Sequence, residues 1–322
     1  MLTYTAKQIH EAVLKAENIL LIPHQNPDGD ALGSSTAFAL WLEHINKNYT
    51  LFCKTSASPR LSHLPLGKLT NDQKIWGNKY DLVIVFDSGD LRYAGVAYEI
   101  KHIRKNITLV NFDHHPTNEY YGDINFVDVR SSSTAEMVER FFVMNHIEVD
   151  RDMATSLLTG FVTDTDNFTN AATSGFAMSA AGQLLKSGGK MAPTQERVYK
   201  NISIPALKVW GKMLERMKLH ELLDVVYTFV TQEDLKSASI VETDIDGLAN
   251  FMNSIEEGKI KMILREKELG RWKGSFRTTR DDVDVSAYAQ AFSGGGHKKA
   301  AGFSVEGTID EAVAKVFAVI EG

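Results

Sequence analysis

The stretch NILLIPHQNPDGDALGSSTAFALWLEHINK, residues 18–47, decides the fold. Its first six residues, NILLIP, carry an uninterrupted apolar run from Ile19, which predicts a strand, and from Gly33 the apolar positions recur at helical spacing through Lys47. Between them, His24, Asp28 and Asp30 cluster around Gly29, so the strand ends in acids. Working outward, YTLFCK (49–54), YDLVIVFD (80–87) and NITLVNFD (106–113) read as further strands. TAEMVERFFVMNHI (134–147) and DMATSLLTGFVTD (152–164) read as helices. Such alternation argues for an α/β fold, a mostly parallel sheet flanked by helices.

The pattern loosens through KSGGKMAPTQE (186–196), and the chain then resumes with the helical IPALKVWGKMLERMKL. Beyond it VVYTFVTQ, KIKMILREK, RWKGSFRT and AAGFSVEG read as strands. DIDGLANFMNSI, VSAYAQAF and IDEAVAKVFAVI read as helices, giving a second, smaller α+β domain. At 322 residues two domains are the default. We expect a first domain over 1–188, a connector over 189–222 and a second domain over 223–322.

Composition narrows the class. No segment approaches the roughly 18 continuous apolar residues of a membrane span, and the first 20 residues read as a charged amphipathic helix rather than a signal peptide. A cytoplasmic location is expected. The single cysteine, Cys53, cannot form an internal disulfide and fits a buried strand position. A net charge of -6 argues against unspecific binding along nucleic acid, while leaving room for an anionic substrate at a locally positive or metal-charged site.

The acids recur where strands end. Asp87 closes VIVFDSGD, Asp113-His114-His115 closes LVNFDHH, and Asp164 and Asp166 follow the apolar helix of LLTGFVTDTDNF. In an open parallel sheet the loops at the carboxyl ends of strands line one crevice, so these clusters are expected to converge. So many carboxylates together are costly unless cations neutralise them. Carboxylate oxygens with imidazole nitrogens, and no thiolate, suit a divalent ion such as Mn²⁺. Gly29 is read as a sharp turn that lets Asp28 and Asp30 face different ions about 3.5 to 4 Å apart. The competing reading makes Asp28 or Asp30 a cap for the helix starting near Gly33.

Taken together, HQNPDGDALGS, VFDSGD, FDHHP and TGFVTDT resemble the four motifs of the DHH phosphoesterase family, and SGGGHKKAAGF resembles the signature of the DHH-associated second domain. The resemblance implies a two-metal phosphoesterase, usually Mn²⁺-dependent with Mg²⁺ or Co²⁺ as alternatives, and an active site in the interdomain cleft. It implies His24 and Asp28 as ligands of one ion, Asp30, His114 and Asp164 as ligands of the other, and Asp87 as the bridge. Asp164 is preferred to Asp166 by alignment alone. Asp113 would orient its neighbours, and His115 would sit beside the scissile phosphate as acid or hydrogen-bond donor.

In the second domain, Gly294, Gly295, Gly296 and His297 offer consecutive backbone N–H groups that suit a phosphate nest, a flexible turn being the plainer reading. Arg277 matches the family's substrate-binding arginine. Arg265, Lys267, Arg271 and Lys273 read as a solvated face. Phe168, Tyr288 and Phe292 are candidates for base stacking, with core packing the competing reading.

Among family members with this two-domain pattern, the resemblance points to nano-RNases that degrade very short RNA oligonucleotides to 5'-mononucleotides and dephosphorylate 3'-phosphoadenosine 5'-phosphate. Enzymes that cleave cyclic di-AMP or its linear product pApA are the enzymatic alternative. A non-catalytic nucleotide sensor is the distant one. Short RNA or small nucleotides are the expected partners, with no membrane, and a homodimer is compatible with the family.

Overall fold

The computed structural model describes residues 2–200, 202–245 and 247–322, with the side chains of Lys200, Thr243, Asp244, Asn250 and His297 outside the described set. The chain divides into two compact units, residues 1–200 and 201–322.

In the first unit, strands β1 (Asn18–Pro23), β2 (Asn48–Phe52), β3 (Leu69–Thr70), β4 (Leu82–Phe86), β5 (Thr108–Asp113) and β6 (Ile124–Val127) form one sheet in the order β3-β2-β1-β4-β5-β6. Every pairing is parallel. Helices α1 (Leu2–Lys15), α2 (Gly29–His44), α3 (Ala97–Ile103), α4 (Thr134–Met144), α5 (Arg151–Asp164), α6 (Gly175–Lys186) and the single turn α7 (Ala192–Thr194) complete it. Because both faces of the sheet are covered, its strands read as continuous apolar runs. Ile19 and Leu21 of β1 face a core shared with Phe38, Phe86, Phe112 and Phe141. Leu20 and Ile22 face the other core, with Val83, Val85 and Ile100. The strand order reverses between β1 and β4, and at such a switch point the loops leaving adjacent strands diverge and open a crevice. Two of the acid clusters leave the sheet there.

The helix after β1 starts earlier than its apolar spacing suggests. Asp28 is its N-cap, accepting from the backbone N–H groups of Asp30 and Ala31 at 3.0 Å each, and Gly29 is already helical. Gly29 is therefore not a sharp turn. Its lack of a side chain serves packing: a Cβ there would fall 2.4 Å from the Thr163 side chain. Gly33 and Gly160 serve the same interface, and a Cβ on Gly160 would come 2.5 Å from Asp30 Oδ1. These glycines bring α2 and α5 close enough for Asp30 and Asp164 to meet across them.

The second unit holds α8 (Ile204–Glu215), β7 (Lys218–His220), β8 (Val225–Val230), α9 (Gln232–Ser237), α10 (Leu248–Phe251), β9 (Ile260–Glu268), β10 (Arg271–Arg277), α11 (Val285–Gln290), β11 (Gly295–His297), β12 (Ala300–Glu306) and α12 (Ile309–Glu321). Its sheet is mixed, in the order β11-β12-β10-β9-β8-β7. One face packs Ile260, Met262, Phe276 and Phe303 with α11 and α12, and the other packs Val226 and Ile263 under α8 and α10. The expected helix DIDGLANFMNSI is a helical turn, α10, between 3₁₀ turns, with Asp246 outside the described residues and Gly247 at φ +103°.

The glycine run is a strand rather than a nest. Gly295, Gly296 and His297 pair antiparallel with Gly302, Ala301 and Ala300, and the Gly294 N–H is donated to the Ala289 carbonyl. Successive N–H groups of a strand point to alternate sides, so they cannot converge on one anion. The glycines are explained by close approach: a Cβ on Gly294 would lie 2.2 Å from the Gly302 carbonyl oxygen.

Candidate metal centre

His24 follows β1, Asp87 follows β4, and His114 and His115 follow β5, so three neighbouring strands deliver their end residues to one point. Asp28 and Asp30 arrive on the first turn of α2, and Asp164 ends α5. Asp87 adopts φ +59°, a left-handed conformation in which few non-glycine residues are found. Its N–H is donated to the Phe112 carbonyl, which closes the strand pair and turns the carboxylate inward.

Asp87 belongs to two donor sets, one with His24 and Asp28 and one with His114 and His115, and His114 belongs also to a third with Asp30 and Asp164. His24 Nε2 stands 3.7 Å from Asp28 Oδ1 and 3.5 Å from Asp87 Oδ2. His114 Nε2 stands 3.7 Å from Asp87 Oδ1, 3.4 Å from Asp164 Oδ2 and 4.0 Å from Asp30 Oδ2. The ligand atoms of His24, Asp28 and Asp87, and those of Asp30, His114 and Asp164, each lie within 4.8 Å of one another. These separations are mostly too long for hydrogen bonds. Ligand atoms bonded at about 2.1 Å to one ion stand about 3.0 Å apart at right angles and about 4.2 Å apart in line. The spacing is that of ligands around a common centre.

The ionisation of the acids points the same way. Burial, then the charges of Asp87 and Asp164, push Asp30 well above the usual carboxylate range. Burial and the charges of Asp87 and Asp28 do the same to Asp164. For Asp87, burial acts upward but is outweighed by the neighbouring His24 imidazole and by the charges of His115 and His114, which hold it well below that range. Burial lowers His24, yet Asp28 and Asp87 leave it well above the ordinary imidazole value. Such acids compete for positive charge, and divalent ions supply it. The residues fit divalent metal ions held by oxygen and imidazole donors.

Backbone and buried polar groups fix the donors. His24 Nδ1 pairs with the Gln25 carbonyl at 2.8 Å and His114 Nδ1 with that of Ser131 at 3.2 Å, directing each Nε2 inward. Asp30 accepts from the backbone N–H groups of Thr134 at 2.6 Å and Ala135 at 2.8 Å, the N-terminus of α4. The Thr134 hydroxyl donates to Asp87 Oδ1 at 2.9 Å. Asp113, fully buried, accepts from His115 Nδ1 at 2.6 Å and from the Asn118 amide, and that amide also reaches Asn111. Burial acts to lower His115, but the hydrogen bond of Asp113 and the charge of Asp87 outweigh it and raise the imidazole to about 10.

The expected residues of the first unit thus stand together. Of the fourth-motif acids, Asp164 faces His114, whereas Asp166 lies past the helix end at φ +49°. In the second unit, Arg277 ends β10 and donates to the Phe276 carbonyl. The His297 side chain lies outside the described residues. Phe168, Tyr288 and Phe292 pack against the two cores. Sequence reading passed over Thr134, Ala135, Asn118 and Tyr93, whose ring lies 4.9 Å from that of His24. A signal existed for the first two: Ser133, which caps α4 by accepting from the Glu136 N–H, stands three residues before that glutamate.

Residues 18–161 match the DHH family, N-terminal domain, and residues 223–322 match the DHHA1 domain. The chain is also 30% identical over 314 residues to the bifunctional oligoribonuclease and PAP phosphatase NrnA of Thermus thermophilus, spanning 96% of this chain and 91% of that protein. This chain belongs to the DHH phosphoesterase family. A Bacillus subtilis family member, also a bifunctional oligoribonuclease and PAP phosphatase NrnA, is 24% identical over 90% of both chains. The fold matches the crystal structure of an exopolyphosphatase-related protein from Bacteroides fragilis with a TM-score of 0.90, at 24% identity over 99% of this chain and 96% of that one. Among the described residues no helix is long and apolar enough to cross a membrane.

Proposed function

We propose that this DHH phosphoesterase releases 5'-mononucleotides from very short RNA oligonucleotides and dephosphorylates 3'-phosphoadenosine 5'-phosphate. Full-length similarity to the Thermus thermophilus protein supports the substrate class. The observation that carries the chemistry is the position of Asp87 between two donor sets.

In this reading His24 and Asp28 hold one ion, Asp30, His114 and Asp164 hold the other, and Asp87 holds both, with Mn²⁺ our choice of metal. Such ions supply Lewis acidity and a water activated at neutral pH. Asp113 pins His115 Nδ1 and so orients the imidazole, which is our candidate to meet the phosphoryl group or the leaving oxygen as a hydrogen-bond or proton donor. Asn118 holds Asp113 in turn, which fixes the plane of the imidazole. Arg277, with exposed Gly295, Gly296 and the backbone of His297 on edge strand β11, is our candidate grip on the distal part of the substrate. We take the cytoplasm as its place of work, where the free, buried thiol of Cys53 is at home.

The test is Mn²⁺-dependent hydrolysis of a dinucleotide RNA, a longer RNA, 3'-phosphoadenosine 5'-phosphate, cyclic di-AMP, pApA and pyrophosphate at equal concentration. Fast release of mononucleotide from the dinucleotide, with the longer strand poorly used, is the expected result. Preference for cyclic di-AMP would move the function to turnover of that nucleotide, and inertness toward every substrate would refute an enzymatic role.

A further inference from the structure

The loop DSGDLRYAG (87–95), which begins at Asp87, is built tightly onto the metal centre. Asp90 Oδ1 accepts from the backbone N–H groups of Arg92 at 2.6 Å and Tyr93 at 2.9 Å, so the turn holds itself closed. The Arg92 guanidinium pairs with Glu119 at 2.8 Å, which ties the loop to the segment after His115. Gly95, at φ +76°, lets the chain pass close to Gln25, where a Cβ would fall 2.9 Å from Oε1. These contacts fix the backbone on both sides of Tyr93.

Tyr93 departs from its neighbours. Leu91, Ala94 and Val96 pack into the core that holds Leu20 and Ile22 of β1. The Tyr93 ring lies instead against that of His24, with centroids 4.9 Å apart and planes tilted by 39°, and the residue is 49% exposed. Among the described residues nothing is hydrogen-bonded to its hydroxyl, so the ring is what this position offers. Shielding His24 from solvent needs only an aliphatic side chain. A half-exposed ring on an anchored backbone is different: it is pre-organised, and a second ring that stacks on it orders little that was not ordered before.

We propose that Tyr93 is a stacking platform for the nucleobase of the nucleotide whose phosphate is bound at the metal centre, so that this enzyme prefers a phosphoester with a base at that nucleotide over the same phosphoester without one. The proposal rests on the nucleotide-cleaving reading above. His24 directs Nε2 toward Asp28 and Asp87, so the proposed ion and the Tyr93 ring are both neighbours of one imidazole. A nucleotide spans such a pair, because one ribose separates its phosphate from its base. Every base has a π-face, so the platform selects for the presence of a base without choosing among the four.

The experiment compares the Mn²⁺-loaded wild type, Y93A and Y93F on the dinucleotide ApA and on its counterparts in which one or the other adenosine is replaced by a stable abasic analogue. In the wild type one abasic replacement is expected to lower kcat/KM about tenfold or more, mainly through KM, as the loss of one base–aromatic stack does, and which one identifies the nucleotide that is held. Y93A should remove most of that difference, and Y93F should keep it. Each protein is compared with itself, so a general loss of metal or of folded protein in Y93A lowers every rate and leaves the ratio alone. No abasic penalty in the wild type, or an unchanged penalty in Y93A, overturns the proposal; if Y93A fails to fold, Y93L takes its place. If the wild type cleaves no dinucleotide, the substrate reading fails separately, and Tyr93 is judged by calorimetric titration with adenosine 5'-monophosphate and ribose 5-phosphate. A wild-type preference for the nucleotide that Y93A loses supports the platform. The same preference in both proteins, or none in the wild type, overturns it.

Discussion

Asp30→Asn separates two roles that one carboxylate performs. Besides facing His114, Asp30 accepts at Oδ2 from the Thr134 N–H and at Oδ1 from the Ala135 N–H, so both oxygens are committed to the start of α4. An asparagine amide must turn its NH₂ toward one of those donors, and that nitrogen offers no lone pair whatever the pH. The lost hydrogen bond to a charged group is worth about 1.5 to 3 kcal/mol, and the stranded N–H costs about 1 to 3 more. Against this stands relief of repulsion from Asp87 and Asp164. We expect a net loss of about 3 kcal/mol in metal-free protein, a drop in Tm of about 6 to 12 °C for a unit of this size. Asp164→Asn gives the contrast. Its carboxylate makes no backbone hydrogen bond among the described residues, so removing its charge relieves repulsion and raises the metal-free Tm. The assay is thermal denaturation in excess chelator. Metal-free D30N as stable as the wild type, or D30N and D164N shifting in the same direction, would refute the idea that Asp30 clasps α4.

Four further outcomes follow from the same geometry. Asp87→Ala removes the carboxylate that stands 3.5 Å from His24 Nε2 and 3.7 Å from His114 Nε2, and we expect hydrolysis to fall at least about a thousandfold with loss of bound metal in titration calorimetry; retained turnover would dismiss the shared-ligand assignment. Gly160→Ala drives a methyl to within 2.5 Å of Asp30 Oδ1 and of Ala135 Cβ, costing about 1 to 3 kcal/mol of overpacking and displacing a ligand, to be read by denaturation and activity together. Asp234 is buried; burial acts upward on it, but Arg216, Thr231 and Lys212 hold its carboxyl far below the usual range. Its stabilisation is therefore present above the unfolded value of about 3.9 and is lost as pH falls toward the folded one, so Asp234→Ala should cost about 3 to 5 kcal/mol at pH 7 and progressively less, by about 1 kcal/mol per pH unit, as urea titrations move below pH 4. Glu139 is raised to about 7 by burial and by Glu136, so the wild type loses stability as pH climbs from its unfolded value of about 4.3 toward 7, and Glu139→Gln should gain at pH 8 but not at pH 4.

The α/β framework was legible because β4 is apolar throughout, β1 and β5 are largely so, and residues after parallel strands share one edge of the sheet. That edge rule brings His24, Asp87 and His114 together without further information. The start of α2 was misread because apolar spacing registers only where a helix buries side chains, and its first turn buries Asp30 instead. The glycine run misled for a related reason. Its residues answer to the backbone of β12 across the hairpin, a contact that no local pattern encodes. β6 and the two-residue β3 are too short or too mixed to show alternation. Thr134 and Ala135 were passed over because they hold Asp30 through backbone N–H groups, and the one local signal, Ser133 three residues before Glu136, marks a helix start without saying which carboxylate that start holds.

Three of the six proposed metal ligands depend on one segment that carries no ligand of its own. Ser131 holds His114 through its carbonyl, Thr134 and Ala135 hold Asp30 through their N–H groups, and the Thr134 hydroxyl holds Asp87. The N-terminus of α4 adds positive dipole potential where acids crowd, which favours their ionised forms before any cation arrives. Asp28 and Asp164 lack this support from α4 among the described residues and stand nearer solvent, with side chains 56% and 28% exposed. The centre is thus asymmetric: α4 locks Asp87 and Asp30, the start of α2 holds Asp28 through the Asp30 and Ala31 N–H groups, and Asp164 keeps room to adjust. A rigid ligand at Asp87 would hold two bound ions at a set spacing, and the less tightly held Asp164 would give way to an entering substrate oxygen. That division places precision at Asp87, where a displacement at phosphorus needs it, and compliance at the rim.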